Sequence, residues 1–207
     1  MPDIRTIINA PGGTVAIAGG RHLHHTAKPL VTAITQSLLD QGFNLAVGCC
    51  KGVDETVIAN IIYAEAAPVA KRLTIYSAFG DCEPTPSITA VDILTEAGKA
   101  GAKLVWNCSR TLTIPVAARL ARRTDFMLRQ PTAALVTIWT RPESKGTALA
   151  CRTAINRHIP TLAFTTWGWG EPPPHDYPGS WERIPTLSEP WHTGWIWAPS
   201  ENLFGGS

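Results

Sequence analysis

Three apolar runs in this chain each break into a glycine-bearing loop that leads into a helix. The loops read Ala18-Gly19-Gly20-Arg21, Gly48-Cys49-Cys50-Lys51-Gly52-Val53-Asp54 and Glu143-Ser144-Lys145-Gly146-Thr147. Small residues at a strand end allow a tight backbone turn, and the helix that follows presents free N–H groups and the positive end of its dipole. Loops of this kind at the carboxyl ends of one α/β sheet converge on a single crevice. That geometry suits a phosphate group, carried by a nucleotide or by a nucleic acid.

The spacing of apolar residues sets the rest of the fold. Residues 14–18 form a continuous apolar run, as expected of a strand covered on both faces. Leu30, Ile34, Leu38 and Leu39 share one face of a helix over 28–41, which Gly42 ends. The same alternation predicts strands at 43–47, 72–78, 103–107, 134–139 and, last, 161–165. It predicts helices from the Gly52 turn to about Ala66, then at 87–99, 115–129 and 146–157, with a loop at 82–86. Strands alternating with helices imply an α/β, Rossmann-like fold: a mostly parallel sheet with helices on both faces.

Hydrophobic residues make up 44% of the 207 and charged residues 16%, enough for one well-buried domain. A net charge of +2 is too small for a protein that coats DNA generally. The N-terminus shows no charged-then-apolar leader, and no apolar run approaches the ~20 residues that span a bilayer. The expectation is a soluble, cytoplasmic protein without a membrane partner. Cys49, Cys50, Cys82, Cys108 and Cys151 form no CxxC pair, so they read as small buried hydrophobes rather than metal ligands.

Composition shifts at Trp167. Residues 1–166 read as the domain and 167–207 as an extension rich in Trp, Pro and Gly, holding six of the eight tryptophans (Trp167, Trp169, Trp181, Trp191, Trp195 and Trp197). No helical or strand period persists there. Tryptophans are costly to leave in water, so the extension either packs back on the domain or forms a partner or base-stacking surface.

The candidate phosphate-binding residues are Gly19, Gly20 and Arg21; Gly48, Lys51, Gly52 and Asp54; Arg122 and Arg123; and Ser144, Lys145, Gly146 and Thr147. Glycine lets an oxyanion approach the main chain, and an arginine fork matches phosphate. Asp54 reads first as a helix cap. Lys51 either reaches a phosphate or sits in water. Arg119, Arg122 and Arg123 lie at i, i+3 and i+4 on one helix face, as a solvated stripe or as a track for phosphates. Ser144 to Thr147 form the fullest anion pocket, although the spacing is not that of a Walker loop. His22, His24 and His25 have no second ligand cluster beside them, so no metal is expected.

In order and spacing these motifs resemble the SLOG superfamily, which includes DNA-processing proteins of the DprA/Smf type and LOG-type nucleotide hydrolases. The residues that carry the resemblance are Val15 to Arg21, Leu45 to Asp54, Arg122 to Asp125, and Ala134 to Trp139 followed by Ser144 to Thr147. It covers about residues 13–165. It implies a nucleotide- or nucleic-acid-phosphate-binding protein, with a nucleotide or single-stranded nucleic acid as partner, a homodimer as the assembly, and no certain cofactor beyond a nucleotide ligand. LOG-type enzymes place a catalytic glutamate where this chain has Ala150, and Thr124 stands where DprA proteins have asparagine. Nucleotide N-glycoside hydrolysis is therefore the alternative, and ssDNA handling in DNA processing another.

Overall fold

The computed structural model describes residues 4–8, 10, 12–63, 67–80, 91–108, 113–167, 170–185 and 188–200. After a short helix α1 (Ile4–Ile7) the chain alternates β1 (Thr14–Gly19), α2 (Lys28–Asp40), β2 (Asn44–Val47), α3 (Val53–Ile62), α4 (Ala67–Ala70), β3 (Leu73–Tyr76) and α5 (Val91–Lys99). It continues with β4 (Lys103–Val105), α6 (Val116–Leu128), β5 (Ala134–Trp139), α7 (Lys145–Ile155), β6 (Thr161–Thr165), β7 (Ser180–Arg183) and β8 (Trp195–Ala198). The expected helix to Ala66 ends at Ile62, and residues 64–66 lie outside the described residues. So do the loop at 82–86, the start of the helix expected at 87, Cys82 and Trp169.

One eight-stranded sheet runs in the order β4-β3-β2-β1-β5-β6-β8-β7. Strands β1 to β6 pair parallel with one another, and β8 pairs antiparallel with both β6 and β7. From β1 the chain winds outward through β2, β3 and β4, then crosses back to lay β5 against the other side of β1. The strand order thus reverses between β1 and β5, and a crevice opens at such a point above the strand carboxyl ends.

Alternation along the strands feeds two cores. Val15 and Ile17 of β1 join Val136 and Ile138 of β5 against α2, α3 and α5. Ala16 and Leu135 face the other way, against Met127 and Leu128 of α6 and Ala150 and Ala154 of α7. With both faces covered, a central strand can be buried throughout, as β5 is. Each fully buried Val, Leu or Ile contributes about 1.5–3 kcal/mol over leaving it in water.

The expectation that β6 is the last strand is corrected: the Trp-rich extension supplies β7 and β8 and widens the same sheet. These strands are four residues long, and their tryptophans share one face, while Trp191 in the turn before β8 reaches the other. Trp181 and Trp197 join Trp139 and Cys151 on the α7 side. Trp191 and Ile184 enter the opposite core, where Trp191 Nε1 donates to Ser37 Oγ of α2 at 2.9 Å. The extension therefore grips the β6 side of the sheet from both faces. No helix among the described residues is long and apolar enough to cross a membrane.

Candidate functional site

A cleft of about 540 Å³ lies at the carboxyl ends of β1 and β5, bordered by α6 and α7. Its volume is in the range of small-ligand sites, about 300–1,000 Å³. The loop after β1 contributes Gly19, Gly20, Arg21 and His22; the loop after β5 contributes Thr140, Arg141, Glu143 and Ser144 to Thr147. The first and third sequence loops thus meet, as their positions after parallel strands imply.

Close approach explains Gly20. A Cβ there would sit 1.9 Å from Thr140 Oγ1, so only glycine lets the β1 and β5 loops touch. Its own N–H donates to the Ile138 carbonyl at 3.1 Å, and its carbonyl accepts from Val53 N at 3.2 Å. The loop is thereby fixed to both neighbouring elements.

The second loop works differently. A Cβ on Gly48 would lie 1.4 Å from Arg123 Nη1 and 2.2 Å from Asp54 Oδ2, so the space above Gly48 is filled by an ion pair. Arg123 Nη1 donates to Asp54 Oδ2 at 3.5 Å, and both side chains are buried. The Cys50 N–H donates to the same oxygen at 3.2 Å, and Arg123 Nη2 meets Cys50 Sγ at 3.7 Å. Arg123 Nε has no acceptor among the described residues. The reading of Asp54 as a helix cap is corrected: Gly52 occupies the cap position of α3 and no side chain caps it. Burial raises the Asp54 carboxyl, and the Arg123 guanidinium opposes that shift. Burial also pushes the Cys50 thiol up to about 12, which keeps it protonated and unreactive near neutrality.

Asp54, Cys50 and Arg123 form part of the cleft lining, whereas Gly48, Lys51 and Gly52 do not. Lys51 is exposed outside the cleft, and Gly52 packs against the backbone of Gly20 and Arg21. The arginine stripe on α6 also divides. Arg119 and Arg123 are each only 7% exposed, while Arg122 is exposed and outside the lining. Arg119 donates to the Ala78 carbonyl at 3.1 Å and lies 4.4 Å over the Phe79 ring, so it braces α6 against the loop after β3. A continuous surface track along this helix is ruled out by that burial.

The third loop leaves a helix start open. Ser144 precedes α7 but makes no side-chain cap; its hydroxyl pairs with Thr147 Oγ1 at 2.8 Å. The N–H groups of the first turn of α7 therefore have no side-chain acceptor from Ser144 and face a cleft lined by the same residues. Arg21, Arg141 and Lys145 are exposed in this cleft and form no ion pair among the described residues. Glu143 is the one exposed carboxylate among the lining residues.

Sequence reasoning missed Arg141, although its place directly after β5 was a usable signal. It also missed the apolar wall formed by Ala117, Leu120 and Ala121 of α6 with Leu149 of α7. Ala150 is 1% exposed in the α7 core, so the position of the LOG-type glutamate is buried and apolar. His22 lines the cleft, while His24 and His25 pack ring on ring at 4.2 Å. No group of three or more His, Cys, Asp or Glu among the described residues could hold a metal ion.

No family model matches the chain, and no curated protein matches it. Among solved structures it is similar to DNA processing protein A from Helicobacter pylori, described for its unique single-stranded DNA binding mode. The two share 14% identity with a TM-score of 0.54, over 77% of this chain and 67% of that one. At that identity the likeness is one of fold.

Proposed function

We propose that this chain is a phosphate-binding protein of DprA/SLOG type, whose cleft holds the phosphates of a single-stranded nucleic acid. The observation that carries this reading is the start of α7, left uncapped by Ser144 in a cleft where Arg21, Arg141 and Lys145 have no ion-pair partners among the described residues. The phosphates of a strand there accept from backbone N–H groups and, one each, from the three side chains. The apolar wall opposite suits the flat face of a base. The fold it shares with a single-stranded DNA-binding protein supports the same ligand class. A free nucleotide is the second reading, favoured by the modest volume of the cleft.

N-glycoside hydrolysis is less well supported. Such chemistry needs a carboxyl group free to stabilise an oxocarbenium-like centre or to move a proton. Ala150 supplies none and Asp54 is committed to Arg123 and the Cys50 N–H, which leaves Glu143, exposed in the loop after β5, as the one uncommitted carboxylate among the lining residues.

The test is fluorescence anisotropy with a labelled dT oligonucleotide, alongside calorimetry with AMP, ATP, NAD and ADP-ribose. Three neutralised phosphates predict a log–log salt slope near −2 for a single strand, so affinity drops roughly twenty-fold between 50 and 200 mM salt. The R21A/K145A variant should bind at least ten-fold more weakly with an unchanged melting temperature, because both side chains are exposed. Undiminished binding by that variant would remove the cleft from consideration. Tight, salt-insensitive binding of one small nucleotide would select the second reading.

A further inference from the structure

Trp167 opens the extension at the carboxyl end of β6, next to β5, just outside the lining of the cleft. It follows β6 directly, and the preceding Thr166 is tied to the end of β5: its N–H and Oγ1 both donate to the Trp139 carbonyl, at 3.0 and 3.2 Å. The next residues of that loop, Thr140 and Arg141, line the cleft. Trp167 is partly buried and packs in the cluster that includes Ala148, in the first turn of α7. Its ring meets that of Trp139 edge-on, with centroids 6.5 Å apart. Trp139 is fully buried and anchored through Nε1 to Thr137 Oγ1 at 3.2 Å, so it holds the Trp167 ring on a rigid base. By contrast, Trp181 and Trp197 meet edge-on in the interior, and Trp191 is sealed against α2.

The cleft thus has an apolar wall from Leu120 and Leu149, with cationic Lys145 and Arg141 in its lining. Trp167 lies outside that lining and packs, like Ala148 of α7, against the Trp139 cluster. A single nucleotide uses the cleft alone. A strand whose phosphate sits at the helix start carries a second base beyond the lining.

We infer that Trp167 forms a base-stacking subsite for a second nucleotide of a single-stranded nucleic acid whose phosphate is held at the start of α7. This inference rests on the phosphate-binding reading above. Aromatic stacking is tolerant of sequence, so the subsite reads polymer against monomer rather than one base against another.

The experiment compares wild type, W167F, W167L and R21A/K145A against a dT oligonucleotide, an abasic oligonucleotide of equal length, and AMP. Wild type should prefer dT over the abasic strand by roughly 5- to 150-fold, the range of one aromatic–base stack. W167F should keep most of that preference. W167L fills the packing space without an aromatic face, and should lower that preference at least five-fold, leaving the part due to the apolar wall, while binding the abasic strand and AMP within two-fold of wild type. If W167L keeps the preference for dT, or if wild type shows none, the subsite is refuted and the phosphate cleft stands. If R21A/K145A binds the oligonucleotide as wild type does, the phosphate reading itself has failed and the subsite fails with it. Melting temperatures of all variants identify any loss of fold, and the wild-type comparison of dT with abasic strand needs no variant.

Discussion

Replacing Asp54 by alanine should destabilise the fold strongly, and for a reason located 69 residues along the chain. Asp54 is the carboxylate partner of Arg123, and the two side chains are only 6% and 8% exposed. In water, a lost ion pair is worth little because solvent takes over both charges. Here the guanidinium would stay buried above Gly48 with, among the described residues, the Cys50 sulfur as its remaining partner and no acceptor for Nε. Removing one partner of a buried pair typically costs about 3–5 kcal/mol, most of it the penalty of the stranded charge. A domain of this size holds about 5–15 kcal/mol in all, so D54A should lower the melting temperature by roughly 6–20 °C. Urea unfolding followed by circular dichroism measures the cost. The decisive comparison is R123M against D54A/R123M. With the guanidinium gone there is nothing to strand, so the second substitution should cost about 2 kcal/mol less than it does in wild type. A D54A cost below about 1 kcal/mol, or an equal cost in both backgrounds, would refute the reasoning.

Two further outcomes follow from packing and burial. The Cys50 thiol, raised by burial from 9.0 to about 12, should resist a thiol reagent at pH 8 in the native protein and react only in urea; ready native labelling would contradict the burial. The unfolded chain ionises this thiol first, so its contribution to stability is complete below pH 9.0 and is lost as pH rises towards 12, a decline that C50A should flatten in alkaline melting curves. Gly20→Ala places a Cβ against Thr140 and should cost about 1–3 kcal/mol in denaturant melts. Gly146→Ala meets nothing within 4 Å and should be neutral or stabilising by up to about 1 kcal/mol.

Local information was enough for the alternating core. Val15 and Ile17 against Ala16, or the helical spacing of Ile34 and Leu38, report which residues are buried without saying what covers them. The same locality located the loops after β1 and β5, because a strand end followed by glycine and a helix start lies in a few consecutive residues. The adjacency of β1 and β5 decides that these loops share one cleft, and it depends on a crossover of more than a hundred residues. β7 and β8 escaped notice because four residues are too few to establish a period, and in Trp195-Ile196-Trp197 every position is apolar. Arg122 and Arg123 could not be told apart either. They are consecutive on the helix, and what singles out Arg123 is Asp54, which reaches it from another part of the chain.

The glycines of the three loops looked alike in sequence and do three different things. Gly20 is small because another loop passes against it, and Gly48 because a buried ion pair fills the space above it. Both absences of a side chain are consumed by the protein itself, so neither leaves room for a ligand. Gly146 has nothing within 4 Å of where a Cβ would stand, although it lies in the first turn of a helix, where glycine is a poorer choice than alanine by up to about 1 kcal/mol. Packing does not require that cost, whereas a ligand approaching the N–H groups of α7 would. The opposite signs expected for Gly20→Ala and Gly146→Ala in stability therefore bear on function. If Gly146→Ala holds or raises the melting temperature while weakening oligonucleotide binding, the open space over α7 is the part of the three loops kept clear for phosphate.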